Sequence, residues 1–269
     1  MEVLGLGSWS FLFSFHCLRL FAILLSMKNL LHLLMFGLIL GLAGAGCEPA
    51  NHTSAAGTKK KEPPAPAGKK VAVGKNVYLE IQGDKRRVLV QAEVCLRRGM
   101  LEQFMTRKRL KAHEAILTAH VDARDIHTAL TLAKAEAGKP VQFQPKFMVP
   151  SGTTIKITLQ YKEKDKEKIV PAQQWIRNFK TKKILEHDWV FAGSVLIPDP
   201  LDKTKKPFYA ANGGDVICVS NFDTAMLDLP INSSKDNDDL QFEAYTDRIP
   251  PLETPVLVIL EPVLKGKKK

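Results

Sequence analysis

The chain is poor in the motifs that usually disclose an activity. It has four cysteines in 269 residues, and none stand in the paired spacing of a zinc or thiol-redox site. There is no GxSxG elbow, which removes the signature of an α/β-hydrolase nucleophile. His113-Glu114 is followed by His120 rather than by a histidine at zincin spacing, so HExxH is missing too. Asn212-Gly213-Gly214-Asp215 precedes no helix with a glycine-rich start, which excludes a phosphate-cradling loop there. No internal repeat is visible, which argues against a solenoid or propeller.

Charge is abundant, but its placement matters more than its sum. The formal net charge is +11. Much of the excess sits at the ends, in Lys59–Lys61, Lys69, Lys70, Lys265 and Lys267–Lys269. Residues 71–264 keep 28 basic and 25 acidic residues, a net of only +3. Basic ends attract anionic headgroups or polyanions without sequence specificity. They are weak grounds for a nucleic-acid partner.

The N-terminal part reads as a targeting region. Met27–Cys47 has a positive Lys28, an apolar run Leu30–Leu42, and small residues leading to Cys47. This is secretory-signal logic, and the run is short for a permanent span. Leu42-Ala43-Gly44-Ala45-Gly46-Cys47 resembles the lipobox of bacterial lipoproteins, with Gly44 where that family prefers Leu, Val or Ile. The resemblance implies cleavage before Cys47 and lipid attachment at its thiol; a plain cleaved signal is the alternative. Two acyl chains would form a stable anchor. Translation is expected to start at Met27, leaving residues 1–26 as a misassigned N-terminal extension; the rival is a two-helix membrane hairpin. Residues 47–70 are rich in Ala, Pro, Gly and Lys and predict a disordered tether reaching about 80 Å when extended. Lys265–Lys269 predicts a frayed basic tail.

Residues 71–264 predict one β-rich α+β domain with mostly antiparallel sheet and one main helix. Val77, Leu79 and Ile81 alternate, Gly83-Asp84 turns, and Val88–Leu96 alternates again, which predicts a hairpin. The segment 97–111 is ambiguous, and 114–121 fits a strand or a helical turn. The helix is expected over Ala123–Ala137, capped by Asp122, with Asp125 reaching back and Gly138 ending it. Ile155–Tyr161 and Ile169–Trp175 predict strands about the solvated turn Lys162–Lys168. A further strand is expected over Asp188–Ile197. Asn212–Asp215 predicts a hairpin turn between Phe208–Ala211 and Val216–Ser220. A short helix is expected over Asn221–Asp228, and final strands over Leu240–Tyr245 and Val256–Glu261. Cys95 and Cys218 lie in apolar runs and suit either a bridge or two buried thiols.

Four segments carry a wider resemblance: KAHEAIL (111–117), DIHTALTLA (125–133), DWVFAGS (188–194) and GDVICVSNFDTAMLDLP (214–230). Together they are similar to bacterial YdjY-domain proteins, often exported proteins or lipoproteins. The resemblance spans about 71–264. It implies a domain type and carries over neither an activity nor a functional residue.

Two constellations can be weighed on chemistry alone. His113, Glu114, His120, Asp122 and His127 form the densest group of metal-capable side chains, suited to a metal or acid–base site if they converge. Satisfied structural histidines are the simpler reading. Glu186, His187 and Asp188 with Ser194 invite a triad reading, but adjacency in sequence does not supply triad geometry. Trp175, Trp189, Phe191 and Tyr209 suit a core as well as a groove. The expectation is therefore a membrane-tethered cell-envelope lipoprotein, a binding or structural module with a protein or glycan partner. The alternative is a metal-dependent or acid–base enzyme centred on His113, Glu114, His120 and His127.

Overall fold

The computed structural model describes residues 68–264. The signal, Cys47 and nearly all of the tether lie outside the described residues, as does the basic tail. Among the described residues no helix is long and apolar enough to cross a membrane.

The strands are β1 (Lys69–Gly74), β2 (Val77–Gln82), β3 (Lys85–Val94), β4 (Gln103–Arg107) and β5 (Ala115–Ala119). After helix α1 (Ala123–Leu132) come β6 (Thr154–Glu163), β7 (Lys166–Pro171), β8 (Ile176–Asn178), β9 (Trp189–Phe191), β10 (Leu196–Ile197) and β11 (Phe208–Tyr209). The last four are β12 (Ile217–Cys218), β13 (Leu227–Asp228), β14 (Phe242–Ala244) and β15 (Pro255–Pro262). Short ribbons pair β10 with β11 and β8 with β14. The other eleven strands form one sheet, in which β3, β15, β6, β9, β13, β12, β4 and β5 close into an eight-stranded barrel. Its neighbours are antiparallel except β12 with β13 and β4 with β5.

Closure relies on two forked strands. β3 pairs with β15 along one edge, over Val88–Glu93, and divides the other between β2 and β5. β6 does the same, with β15 on one edge and β7 and β9 sharing the other. The hairpins β2–β3 and β6–β7 thus peel away from the ring. Both turn as the sequence predicts, at Gly83 (φ 58°) and at Lys164-Asp165 (φ 48° and 63°), the positive values that two-residue hairpin turns require. Period-two burial follows: Val77 and Leu79, Val88 and Val90, and Ile155, Ile157 and Leu159 all face the core.

Helix α1 lies over β1, β2 and β3 and buries Ala123, Ile126, Ala129 and Leu130. Asp122 caps it as expected, accepting from Arg124 N at 2.9 Å. The helix ends five residues before Ala137. Lys134 takes a left-handed φ of 69°, with Lys134 N donating to Thr131 O and Ala135 N to Leu130 O. That is the Schellman pattern, formed here by a lysine, and Arg86 donates to the Leu132 carbonyl at 2.9 Å.

Other expectations need correction. β1 starts at Lys69, two residues inside the predicted tether. The ambiguous segment contains β4, all but its last residue buried. Asp188–Ile197 is not one strand, because left-handed Ser194 (φ 58°) breaks it between β9 and β10. β11 and β12 do not form a hairpin: Ala210–Gly213 is a 3₁₀ turn and the two strands join different sheets. Asn221–Asp228 is not helical, since β13 and the side chains of Asn221 and Asp228 hold it in an irregular form.

Candidate functional site

Two polar features stand out. The first is a groove of about 470 Å³ lined by Arg124, His127, Thr128, Gly193, Ser194, Val195, Leu196 and Tyr209. Helical spacing explains one wall, because positions 124, 127 and 128 share a face opposite the buried Ile126 and Leu130. The other wall follows β9. There Gly193 N donates to Met226 O and Ser194 N to Ala225 O, both at 3.0 Å. Gly193 has φ +92°, and a Cβ on it would lie 2.8 Å from Ala137 Cβ, so a side chain is refused on both counts.

His127 is half-buried in this groove. Its ring packs edge-on against Phe191 and Tyr209, with centroids at 4.8 and 5.6 Å. Nδ1 lies 2.9 Å from the Tyr209 hydroxyl, which donates to the Gly193 carbonyl at 3.0 Å. Burial pushes the imidazole pKa down, opposed by the Gly193 carbonyl, and burial pushes the Tyr209 phenol up. Ser194 Oγ is already engaged, donating to Thr224 O at 2.6 Å and accepting from Ala211 N at 3.0 Å. Arg124 is held by Asp122, which accepts from its Nε at 3.0 Å and Nη2 at 2.5 Å. That pairing holds Asp122 well below the usual carboxylate range.

The second feature is a buried polar network on β4, β12 and β13 and the loops around them. Lys111 Nζ lies 3.0 Å from Asp215, 3.6 Å from Glu102 and 3.9 Å from Glu114, over the Phe222 ring at 4.6 Å. Asp215 also accepts from Thr224 Oγ1 at 2.5 Å and Gln103 Nε2 at 3.2 Å. Burial, then the neighbouring Glu102, raises the Glu114 pKa. Asp228 accepts from Asn221 Nδ2, Leu229 N and Phe222 N at 3.1, 2.8 and 3.3 Å. Burial outweighs these three donors and pushes its carboxyl up to about 8.

Asn212 links the two features. Its Oδ1 accepts from Ala123 N at 2.8 Å and its Nδ2 donates to Asp122 Oδ1 at 2.9 Å, clasping the helix N-terminus. Arg107 holds the Asn212 carbonyl at 2.6 Å. Asn212, Asp215, Lys111 and Asp228 escaped the sequence reading. Asn212–Asp215 looked sufficient as a turn, and the useful signal was polar residues interrupting the apolar run 216–230.

The predicted site residues do not converge. His113 is exposed and meets Glu114 at 3.6 Å. His120 is exposed and faces Lys75 Nζ at 3.5 Å. His127 belongs to the groove, away from both in its contacts. Among the described residues no three His, Cys, Asp or Glu side chains are grouped to hold a metal ion. Ser194 is bonded to neither His187 nor Asp188. Glu186 and His187 are exposed, and Asp188 accepts from Gln173 at 2.7 Å. Trp175, Trp189 and Phe191 are core residues, and buried Tyr209 also lines the groove. Cys95 and Cys218 are free thiols. Burial raises Cys95 to about 11 and Cys218 well above its ordinary value.

These features define a closed, mixed β-barrel domain with one packed helix and a groove at that helix's outer face. The YdjY domain family model matches residues 79–261, and the chain belongs to the YdjY-domain family. No curated protein and no solved structure matches it.

Proposed function

We propose that this protein is a cell-envelope lipoprotein, anchored through Cys47, whose YdjY domain is a binding module with the His127 groove as its site. The observation that carries the reading is the groove itself. Its apolar Val195 and Leu196, the hydroxyl of Thr128 and the ring of His127 line one concave surface, the mixed composition of ligand sites. The lipobox resemblance supports the anchor, and the Ala/Pro/Lys segment after Cys47 supports a tether that presents the domain away from the membrane.

A fragment screen by NMR on the full chain tests the site. Hits should cluster on the groove and disappear in Thr128→Trp, whose exposed side chain would fill it. Hits spread evenly over the surface would remove the reading. Membrane fractionation tests the anchor. Cys47→Ala should move the protein out of the membrane fraction, and retention there would mean an uncleaved helix holds it.

A further inference from the structure

The groove carries information about what it binds, and this inference rests on the binding reading above. The key is a short chain of hydrogen bonds that joins His127, Tyr209 and the Gly193 carbonyl, and the same carbonyl also favours a proton on the ring. The Gly193 carbonyl can only accept, and the Tyr209 hydroxyl has one proton, which it donates there at 3.0 Å. The 2.9 Å contact between Tyr209 and His127 Nδ1 must then be donated by the imidazole. In a neutral imidazole that places the only ring proton on Nδ1 and leaves Nε2 as a lone-pair acceptor. Nε2 has no side-chain hydrogen-bond partner among the described residues, and His127 lines the groove.

The rest of the lining narrows the ligand further. Among the described residues the guanidinium of Arg124 is the one Lys or Arg side chain lining the groove, and the Asp122 carboxylate, bound through Nε and Nη2, already offsets its charge. The site therefore has little net attraction for an anion. Val195 and Leu196 present apolar surface, 39 % and 63 % exposed, beside a ring nitrogen that accepts.

We propose that the His127 groove recognises an uncharged, hydroxyl-bearing ligand with an apolar face, the chemistry of a sugar ring. A ligand hydroxyl donates to His127 Nε2 while the ligand's C–H face rests on Val195 and Leu196. Tyr209 is a positioning residue: its hydroxyl fixes the tautomer and does not touch the ligand.

The test uses the full chain, labelled with ¹⁵N at histidine, and three probes: chitotriose, trigalacturonate and tri-alanine. Chitotriose should bind and shift the His127 Nε2 resonance, and the free protein should show the Nδ1–H tautomer. His127→Phe should weaken binding about tenfold, the loss of one hydrogen bond of about 1.4 kcal/mol. His127→Gln, which keeps an acceptor oxygen near the Nε2 position, should recover most of it. Tyr209→Phe should weaken binding severalfold and also mix the tautomers, a signature that simple loosening of the groove would not give. An Nε2–H tautomer in the wild type overturns the proposal. So does tighter binding of trigalacturonate or tri-alanine than of chitotriose, which would leave a binding groove of different chemistry. Failure of all three probes alongside a positive fragment screen overturns the ligand class alone; failure of both overturns the binding reading as well.

Discussion

The two halves of the barrel are held together by different means. On one side, β3, β15 and β6 are ten, eight and ten residues long and join through continuous backbone ladders. On the other, β9, β12 and β13 have three, two and two residues, too few for ladders to define a register. Side chains complete that wall. All nine buried polar residues among the described residues fall within 103–118 or 212–233, and most reach across to a neighbouring segment, as Gln103 does to Asp215 and Ser233 to the Val219 carbonyl. One half is a conventional sheet. The other, apart from the five-residue parallel pair β4–β5, is a set of short extended segments pinned by a polar network in a low-dielectric interior, where each bond is strong and each loss costly.

Substitutions can set these halves against each other. The largest effect is expected for Asp228→Ala. It would strand the donors of Asn221, Phe222 and Leu229 in the core, costing about 4 kcal/mol by denaturant unfolding, with short-half amides losing exchange protection first. Leu159→Ala, in the ladder half, should cost about 3 kcal/mol through its cavity and loosen the two halves equally. If Asp228→Ala also loosens them equally, the two-halves contrast fails.

A pH series sharpens the contrast. Asp228 titrates at about 8 in the folded chain against about 3.9 when unfolded. The unfolded state thus releases this proton first as pH rises. The stability it contributes is complete below about pH 4, declines through the interval, and is gone above about pH 8. Wild type should lose about 3 kcal/mol between pH 6 and pH 9 on this account, and Asp228→Ala should lose less. A wild-type profile that rises over that interval would contradict the assignment. The smallest expected effect is that of Asn212→Ala, about 1 kcal/mol. Asp122 still caps Arg124 N in that variant, so the losses are the acceptor of the Ala123 N–H and one donor to Asp122 Oδ1, which Arg124 continues to satisfy. The His127 resonance should also move, because the clasp sets where the helix starts.

The same contrast explains what was legible in the sequence. Alternation over Val77–Ile81, Val88–Val94 and Ile155–Tyr161, with the unbroken apolar run Val256–Leu260, announced the ladder half, because one-sided burial writes itself as a period of two and a strand buried on both faces as a short apolar run. A two-residue strand has no period, so β12 was legible only as the apolar run Val216–Ser220, with the wrong partner, and β13 was hidden in 221–228, which passed for a helix. The helix itself was legible at its start, through Asp122. Its end was not, since a lysine in the left-handed position carries no sequence signal of the kind glycine does. Of the candidate site, His127 was visible as a histidine next to a buried stripe, but its partners Tyr209 and Gly193 lie 82 and 66 positions away. His113 and His120 drew notice by proximity in sequence, which a strand and a tight turn then separated.

The forked strands have a consequence for how molecules of this protein meet one another. Because β3 and β6 each serve three partners, the ring closes, and among the described residues the eleven-stranded sheet runs out in β1 and β7. Unpaired strand edges invite pairing with another chain, and lysines blunt that tendency by keeping the edge solvated. β1 opens with Lys69-Lys70, and β7 carries Lys166 and Lys168. Copies brought close together would meet edge to edge, and both terminal strands present lysines there. The lysine-rich end of the β6–β7 hairpin is thus an ingredient of remaining separate at high local concentration.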